Sequence, residues 1–282
     1  MAYSFPQKIF PSALNHYIRC PFKFKCHNDK EIKAEYIEKP ENFVGKVIHA
    51  VLRDFFDIKK ISIDKREKQD IAAMIKYAWA RIEKNTWDKE YWTAKERIEL
   101  FGSIEQEKAF GINAITMLSN YLSKVDLSVV PLVLEDWMEC DIDGFKIAGR
   151  IDRIDQGSGP TIAVWDYKTG KLPFYSSVEK IIEEDLQIPF YAIIASRLYP
   201  FAEKIRAGLI YLKYSKVYDA VWDKGEIKDL EKKVIEFLKQ AKNDTSLLPR
   251  INKLCPYCEY LNVCPKKDNI FTNEKKIDEV NW

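Results

Sequence analysis

Hydrophobic residues recur with two different spacings along this chain of 282 residues, and each spacing predicts a different kind of element. A spacing of three and four positions, which places apolar side chains on one helix face, predicts helices over 13–19, 41–59, 71–85, 93–124, 177–198 and 225–242. Alternating or short continuous apolar runs predict strands over 129–140, 144–154, 161–167, 205–214 and 217–222. This mixture predicts an α/β fold in which helices flank a central mixed sheet of about five strands.

The segment between the first long helix and the strands, 59–125, is mostly helical by the same criterion, after a lysine-rich stretch that we expect to form a loop. We interpret it as a helical insertion within a single domain over 1–282. Pro189 interrupts the helix predicted over 177–198, so we expect a kink there, beside Gln187. Gln187 and Tyr191 are four positions apart, which predicts that they share one face of this helix.

Composition indicates a globular protein, because 46% of the residues are hydrophobic and 13% are aromatic, enough to form a packed core. The 45 basic and 43 acidic residues leave a formal net charge of +2, so a surface for nucleic acid would have to be a local patch. No apolar run reaches the ~20 residues that span a bilayer, and the first residues lack the apolar region of a signal peptide. We therefore expect an intracellular, cytoplasmic protein without a membrane partner.

Acidic and basic residues gather where two predicted strands meet in a hairpin. Asp152 follows an apolar stretch, while Asp166 and Lys168 follow the next one after a turn rich in glycine. Because side chains alternate along a strand, Asp166 and Lys168 share a face and Tyr167 takes the other. Carboxylates suit Mg²⁺ or Mn²⁺, which lowers the pKa of a bound water, and a lysine stabilises developing negative charge during phosphodiester hydrolysis. An isolated D-x-K pattern is nevertheless more typical of ordinary charges at a surface hairpin.

Further motifs accompany this hairpin, and together they are Gly45-Lys46-Val47-Ile48-His49, Gly149-x-x-Asp152, Asp166-x-Lys168 and Gln187-x-x-x-Tyr191. In this order the motifs resemble those of the RecB-like branch of the PD-(D/E)xK nuclease superfamily. With the cysteines described below, the resemblance runs from Cys20 to Cys264 and covers nearly the whole chain. It implies a restriction-endonuclease-like core and a metal-dependent DNA nuclease.

The resemblance implies which residues would bind the metal. Asp152 and Asp166 would hold Mg²⁺ or Mn²⁺, and the Tyr167 carbonyl is a further candidate ligand. His49 would bind the cation or orient its bound water. Without the resemblance, a lone histidine beside an apolar helix face would be interpreted as structural. Glu135, on the first predicted strand, resembles an acidic residue of many relatives and is expected in the outer shell of the metal.

The other catalytic roles follow from the same resemblance. Lys168 would support the attacking water, and Gln187 with Tyr191 would position the DNA strand. The predicted function is that of an exonuclease, rather than an endonuclease, on single-stranded or frayed DNA ends in repair, recombination or CRISPR adaptation. No P-loop pattern G-x-x-x-x-G-K-[ST] occurs, so a helicase would be a separate partner. Two alternatives stay open: a DNA-binding subunit of a larger repair or adaptation complex with little cleavage of its own, and a zinc-stapled structural subunit.

Six cysteines are too few for a disulfide scaffold in a chain of this length, and clustered cysteines favour metal binding. Within 250–266, Cys255, Cys258 and Cys264 form a C-x₂-C-x₅-C motif. The resemblance adds Cys20 as a fourth ligand and implies a [4Fe–4S] cluster, although the spacing alone also allows zinc. Cys26 is close enough to Cys20 to substitute for it, or is a free, semi-exposed thiol.

Two groups of aromatic residues could either stack on nucleobases or pack in the core. Phe22 and Phe24 alternate with lysines after Pro21, which we expect to end the first helix. The second group lies in the predicted insertion, where core packing is the favoured interpretation, and consists of Trp79, Trp87, Tyr91 and Trp92.

Overall fold

A computed structural model describes residues 4–29, 31–32, 34, 38–84, 90–173 and 177–272. Its six strands form one mixed sheet and are β1 (Lys8–Ile9), β2 (Val133–Ile142), β3 (Phe145–Gln156), β4 (Thr161–Lys168), β5 (Lys204–Tyr211) and β6 (Lys216–Asp223). The strand order is β1-β3-β4-β5-β6, and β2 pairs with β3 along its opposite edge. The β1–β3 and β4–β5 pairs are parallel and the others antiparallel, which confirms the predicted mixed sheet. The unpredicted strand is β1, because two residues are too few to show an alternation.

The described helices are α1 (Pro11–Arg19), α2 (Pro21–Asn28), α3 (Pro40–Phe56), α4 (Ile71–Trp79), α5 (Ala94–Phe101), α6 (Ile104–Leu122), α7 (Val178–Glu184), α8 (Gln187–Leu198), α9 (Lys224–Asn243) and α10 (Lys267–Thr272). Short 3₁₀ helices lie at Ile63–Lys68, Leu212–Tyr214, Cys255–Tyr257 and Leu261–Val263. Within the part of the chain just described, no helix is both long and apolar enough to cross a bilayer.

Hydrophobic side chains cover both faces of the sheet. One cluster joins strand residues such as Val164 and Ala207 to α1, α8 and α9. The other joins Tyr167 and Ile210 to α3, α4 and α6. Since α4 and α6 belong to the same cluster as α3, the segment 59–125 forms part of the helical layer over the sheet, and its status as an insertion stays a prediction.

Two helices predicted as continuous are broken in the structure. The helix expected over 93–124 stops at Gly102, whose φ of 85° is left-handed, and Ser103 caps the helix that follows. The helix expected over 177–198 ends at Glu184, and α8 starts at Gln187. Pro189 is therefore the third residue of α8, in the first turn, where a backbone N–H has no intrahelical acceptor. The predicted kink at Pro189 is wrong for this reason.

The segment after Cys20 is helical rather than extended. Pro21 begins α2 instead of only ending α1, because proline is tolerated in the first turn of a helix. Phe24 is completely buried, which excludes it from stacking on a base in this fold. Trp79 stacks against Phe101 and, like Trp92, packs against the core, as favoured, whereas Tyr91 is 52% exposed and Trp87 lies outside the described residues.

Candidate metal centre

Three acidic residues line up across adjacent strands. The β2–β3 register pairs Leu134 with Arg153 and Asp136 with Ile151, so Glu135 lies opposite Asp152. On the other edge of β3, Arg153 pairs with Trp165, and the same register places Asp152 opposite Asp166. The strand order therefore brings carboxylates from β2, β3 and β4 to one level of the sheet.

The backbone is distorted at this level. Glu135 has a φ of 50°, a left-handed conformation that costs a non-glycine residue ~1–2 kcal/mol. On β3, Ile151 and Ile154 both pack in the cluster beneath α8, although strict alternation would place them on opposite faces. The strand therefore changes its facing between Ile151 and Ile154, beside Asp152. Strained backbone of this kind concentrates at functional sites.

His49 on α3 joins the carboxylates. Its Nδ1 lies 2.8 Å from Glu135 Oε1 and 3.4 Å from Asp152 Oδ1, and its Nε2 lies 3.1 Å from the Tyr167 carbonyl oxygen. The Tyr167 amide donates to Asp152 Oδ2 at 2.7 Å. One ligand atom each from His49, Glu135 and Asp152 falls within 4.8 Å of the others. We call these three residues the triad.

The electrostatics of the triad favour a positive charge at its centre. Burial lowers the pKa of His49, but hydrogen bonds and charges from Asp152 and Glu135 outweigh it and raise the pKa to about 10. Both ring nitrogens face oxygen atoms, which only the doubly protonated imidazolium satisfies. Two buried carboxylates, an imidazole and a nearby carbonyl are also a suitable donor set for a divalent cation, whose charge would replace that of the imidazolium. Glu135 is thus one of the clustered donors, closer to the centre than the outer shell expected from the sequence.

Asp166 and Lys168 form a second group beside the triad. Lys168 Nζ lies 2.7 Å from Asp166 Oδ2 and donates to Gln187 Oε1 at 2.6 Å, and Gln187 Nε2 donates to Asp166 Oδ1 at 2.6 Å. Burial, with the charge of Asp152, raises the pKa of Asp166 to about 6 against the opposing effect of Lys168. Asp166 contacts Lys168 and Gln187 and does not belong to the triad. Its role as a metal ligand therefore stays a prediction.

Gln187 and Tyr191 lie on one face of α8, as their spacing predicted. Gln187 Nε2 donates to the Tyr191 hydroxyl at 3.0 Å, and this hydroxyl donates to the Arg150 carbonyl at 2.8 Å. A Cβ at Gly149 would lie 2.5 Å from Cε1 of Tyr191, so only glycine fits beneath the ring. This contact explains the glycine of the Gly149-x-x-Asp152 motif.

Three residues at the site were not assigned from the sequence. Arg150 Nε lies 3.2 Å from Glu135 Oε2, and its position two residues before Asp152 could have indicated this. Asn15 and Asp185 hold the start of α8, since Asn15 donates to Asp185 Oδ1 at 2.7 Å and accepts from the Leu186 amide at 3.0 Å. Asn15 and Asp185 are far apart in the chain, and no local pattern signals their contact.

Comparison with protein families agrees with this arrangement. The family model described as the PD-(D/E)XK nuclease superfamily matches residues 9–265. The chain belongs to this superfamily. Nucleases of the superfamily use divalent metals to hydrolyse phosphodiester bonds, and the triad provides a place for one.

Two solved structures resemble this PD-(D/E)XK nuclease at low sequence identity. The crystal structure of SSO0001 is 17% identical, with 94% of this chain and 88% of that chain covered and a TM-score of 0.34. A presumed exonuclease from Eubacterium rectale is 11% identical, with 90% and 88% covered and a TM-score of 0.47. Comparison with curated proteins gives no match.

The nuclease also brings its four predicted cysteine ligands to one cavity. Cys20, Cys255, Cys258 and Cys264 line a space of about 230 Å³ between the α1–α2 junction and the segment 249–266. Backbone amides point at two of the sulfurs, since Arg250 N lies 3.4 Å from Cys20 Sγ and Asn252 N lies 3.2 Å from Cys255 Sγ.

A fifth cysteine, near this cavity, has a different environment. Cys26 is fully buried on α2 and is not among the residues that line the cavity within the described chain, so it is not a semi-exposed thiol. Burial raises the pKa of Cys26 to about 11, against a smaller opposing effect of Lys25. Cys20 lines the cavity with the other three cysteines and Cys26 does not, which favours Cys20 as the fourth ligand.

Proposed function

We propose that this chain is a Mg²⁺- or Mn²⁺-dependent deoxyribonuclease of the RecB-like branch, acting as an exonuclease on single-stranded or frayed DNA ends. The observation that carries the proposal is the position of Lys168. Its ammonium group pairs with Asp166 directly beside the triad, so a cation-binding cluster and a fixed positive side chain converge on one point. The order of motifs along the chain supports the RecB-like assignment.

The residues of the site form two groups, one that would bind the metal and one that would assist the attack on the phosphate. His49, Glu135, Asp152 and the Tyr167 carbonyl would hold the divalent cation, with Asp166 as a further ligand by family resemblance. When bound, such a cation lowers the pKa of a water molecule and withdraws charge from a phosphate oxygen. His49 must release its second proton to act as a ligand, because a nitrogen that carries a proton cannot bind a metal.

Lys168 has the second function. Its ammonium group lies close enough to the carboxylates to orient an attacking water and to stabilise negative charge as the phosphate is attacked. Gln187 accepts from Lys168 and donates to Asp166, which fixes both side chains in one geometry. Tyr191 holds Gln187 from the next turn of α8 and ties it to β3 through the Arg150 carbonyl.

We also propose that the four cysteines hold a [4Fe–4S] cluster. No three cysteine sulfurs in the described residues lie within 4.8 Å of one another, whereas a single zinc ion with Zn–S bonds of ~2.3 Å would hold its sulfurs ~3.8 Å apart. A cubane cluster binds each cysteine through a different iron and needs a wider spacing. His16 Nδ1 is buried in the wall of the same cavity without a hydrogen-bond partner, and a cluster sulfide would give it one.

Cleavage of end-labelled linear and circular single-stranded DNA tests the proposal. The purified protein should degrade the linear strand with Mn²⁺ or Mg²⁺ and leave it intact in EDTA. The circular strand should resist, since an exonuclease needs an end. Cleavage of both strands would make the protein an endonuclease, and cleavage of neither with added metal would favour a DNA-binding subunit that works with a helicase or a CRISPR adaptation partner.

A further inference from the structure

Trp137 on β2 leaves most of its indole open to solvent. The residue is 64% exposed, which is unusual for the largest apolar side chain, and it lies on a strand that pairs with β3 alone among the described strands. Phe10 makes a T-shaped contact with the indole, with 5.6 Å between ring centroids and 68° between the planes. This contact holds the indole while leaving most of it exposed.

The indole lies next to the metal centre. Trp137 is two residues from Glu135 along β2, and a strand rises ~3.3–3.4 Å per residue, so the two lie about 7 Å apart along the strand. Directly opposite Trp137 in the β2–β3 register is Arg150, whose Nε lies 3.2 Å from Glu135 Oε2. An exposed aromatic ring, a guanidinium and a triad carboxylate therefore follow one another across the strand pair.

Arg150 can bind a phosphate in this position. Its side chain is 44% exposed, and its contacts with other described residues run through Nε to Glu135. The planar guanidinium has five N–H donors, and those on the terminal nitrogens suit the oxygens of a phosphate group. Arg150 also sits on the strand that carries Asp152, so the phosphate it binds would lie beside the one that is cleaved.

We propose that Trp137 and Arg150 form a subsite for single-stranded DNA, in which Trp137 stacks on an unpaired base and Arg150 contacts a backbone phosphate. This inference rests on the proposed function and deepens it. Bases in a duplex stack on each other and offer only their edges in the grooves, so an exposed indole can stack only on a base that has left the duplex. The subsite accounts for a preference for single-stranded or frayed ends.

Equilibrium binding to a fluorescent single-stranded oligonucleotide tests the subsite. The measurements use the Lys168→Ala background, so that affinity is read without cleavage. Trp137→Ala should weaken binding about tenfold, in line with the value of one stacked base, and Trp137→Phe should keep most of the affinity. The matched control is Phe201→Ala, because Phe201 is 58% exposed and precedes β5 at the end of the sheet far from Asp166.

Two further binding measurements distinguish base stacking by Trp137 from phosphate binding by Arg150. With an abasic oligonucleotide, which keeps the phosphates and lacks the bases, Trp137→Ala should bind as tightly as its parent. Arg150→Gln should weaken binding to both oligonucleotides and reduce the salt dependence of log Kd by ~0.7, the value for one phosphate contact on a single strand.

The outcomes distinguish this proposal from the proposed function. If Trp137→Ala binds the normal oligonucleotide as tightly as its parent, or if Phe201→Ala loses as much, the subsite is wrong and Trp137 becomes a candidate contact for a protein partner. If the unmodified protein cleaves no DNA but Trp137→Ala still loses affinity selectively, the nuclease function fails while the subsite stands.

Discussion

The guanidinium of Arg153 donates a hydrogen bond to the hydroxyl of Tyr167 across 3.2 Å, on the face of the sheet that turns away from Lys168. The backbone of Tyr167 meanwhile contacts the triad, since its amide donates to Asp152 and its carbonyl lies against His49. Arg153 Nε also donates to both carboxylate oxygens of Asp155, at 2.8 and 3.0 Å. The buried charges thus help to hold the Tyr167 backbone, whose amide and carbonyl both contact the triad.

Replacing Arg153 by methionine should destabilise the protein by about 3–5 kcal/mol, because Asp155 would stay buried without its cation. The double variant Arg153→Met with Asp155→Leu should recover much of that loss, since it removes both charges. Urea unfolding of the single and double variants measures the difference. Equal stability of the single and double variants would show that the unpaired charge of Asp155 does not cause the loss of stability.

A milder change tests how the backbone of Tyr167 is positioned. Tyr167→Phe removes only the hydroxyl and should cost about 1–3 kcal/mol of stability, because a donor of Arg153 loses its acceptor. We expect the affinity for Mn²⁺ to fall several-fold as well. Titration calorimetry with Mn²⁺ detects this, and unchanged metal affinity at reduced stability would limit Tyr167 to a structural role. Tyr199→Phe, at the far end of α8, is the control.

Glu135→Gly should abolish metal-dependent cleavage without lowering the melting temperature. The substitution removes one carboxylate of the triad, but glycine adopts the left-handed backbone of this position without the cost that glutamate bears. Glu135→Gln keeps the strain and serves as the comparison. A large fall in stability for the glycine variant would mean that the ion pairs of Glu135 with His49 and Arg150 outweigh its backbone strain.

Lys168→Ala should reduce the cleavage rate by ~10²–10³ while leaving DNA affinity nearly unchanged, because it removes a group that stabilises charge only as the phosphate is attacked. Lys180→Ala, an exposed lysine on α7, is the control. Single-turnover kinetics with saturating protein isolate the chemical step. Cleavage by Lys168→Ala at the parent rate would remove Lys168 from the catalytic group.

Anaerobically purified protein should contain four iron atoms per chain, and Cys20→Ala should lose them while Cys26→Ala keeps them. The cluster would close a loop of more than two hundred residues, which by analogy with long crosslinks stabilises by about 4–5 kcal/mol. Cys20→Ala should therefore melt at lower temperature. Metal analysis decides the identity, because one zinc without iron would replace the cluster with a Cys₄ zinc site.

The sequence predicted those parts of the site that depend on local pattern. Asp166 and Lys168 lie on one face because strand alternation is a local property, and Gln187 meets Tyr191 because four positions complete about one helical turn. The family resemblance gave His49 its place beside the strands. Neither step required knowledge of the tertiary packing.

Features that depend on distant contacts could not be read in the same way. The break before α8 is stabilised by Asn15 of α1, which is 170 residues from Asp185 in the chain and meets it only through the tertiary fold. The position of Glu135 within the triad was not predicted, because its left-handed backbone follows from the pairing of β2 with β3. The identity of the residue gives no indication of this conformation. Among the aromatic residues that could stack or pack, Phe24 is buried and Trp79 packs against the core, whereas Tyr91 is 52% exposed, since burial is set by the whole fold.

The docking of 249–266 against the α1–α2 junction also affects how the protein matures during synthesis. Cys20 leaves the ribosome more than two hundred residues before Asn252, which donates to the Arg19 carbonyl, and before the other three cavity cysteines. Domains otherwise begin to fold from the N-terminal side as they are made. The Cys20 thiol therefore stays unassembled until this segment has emerged, so the cavity closes only after every described strand of the sheet has been made.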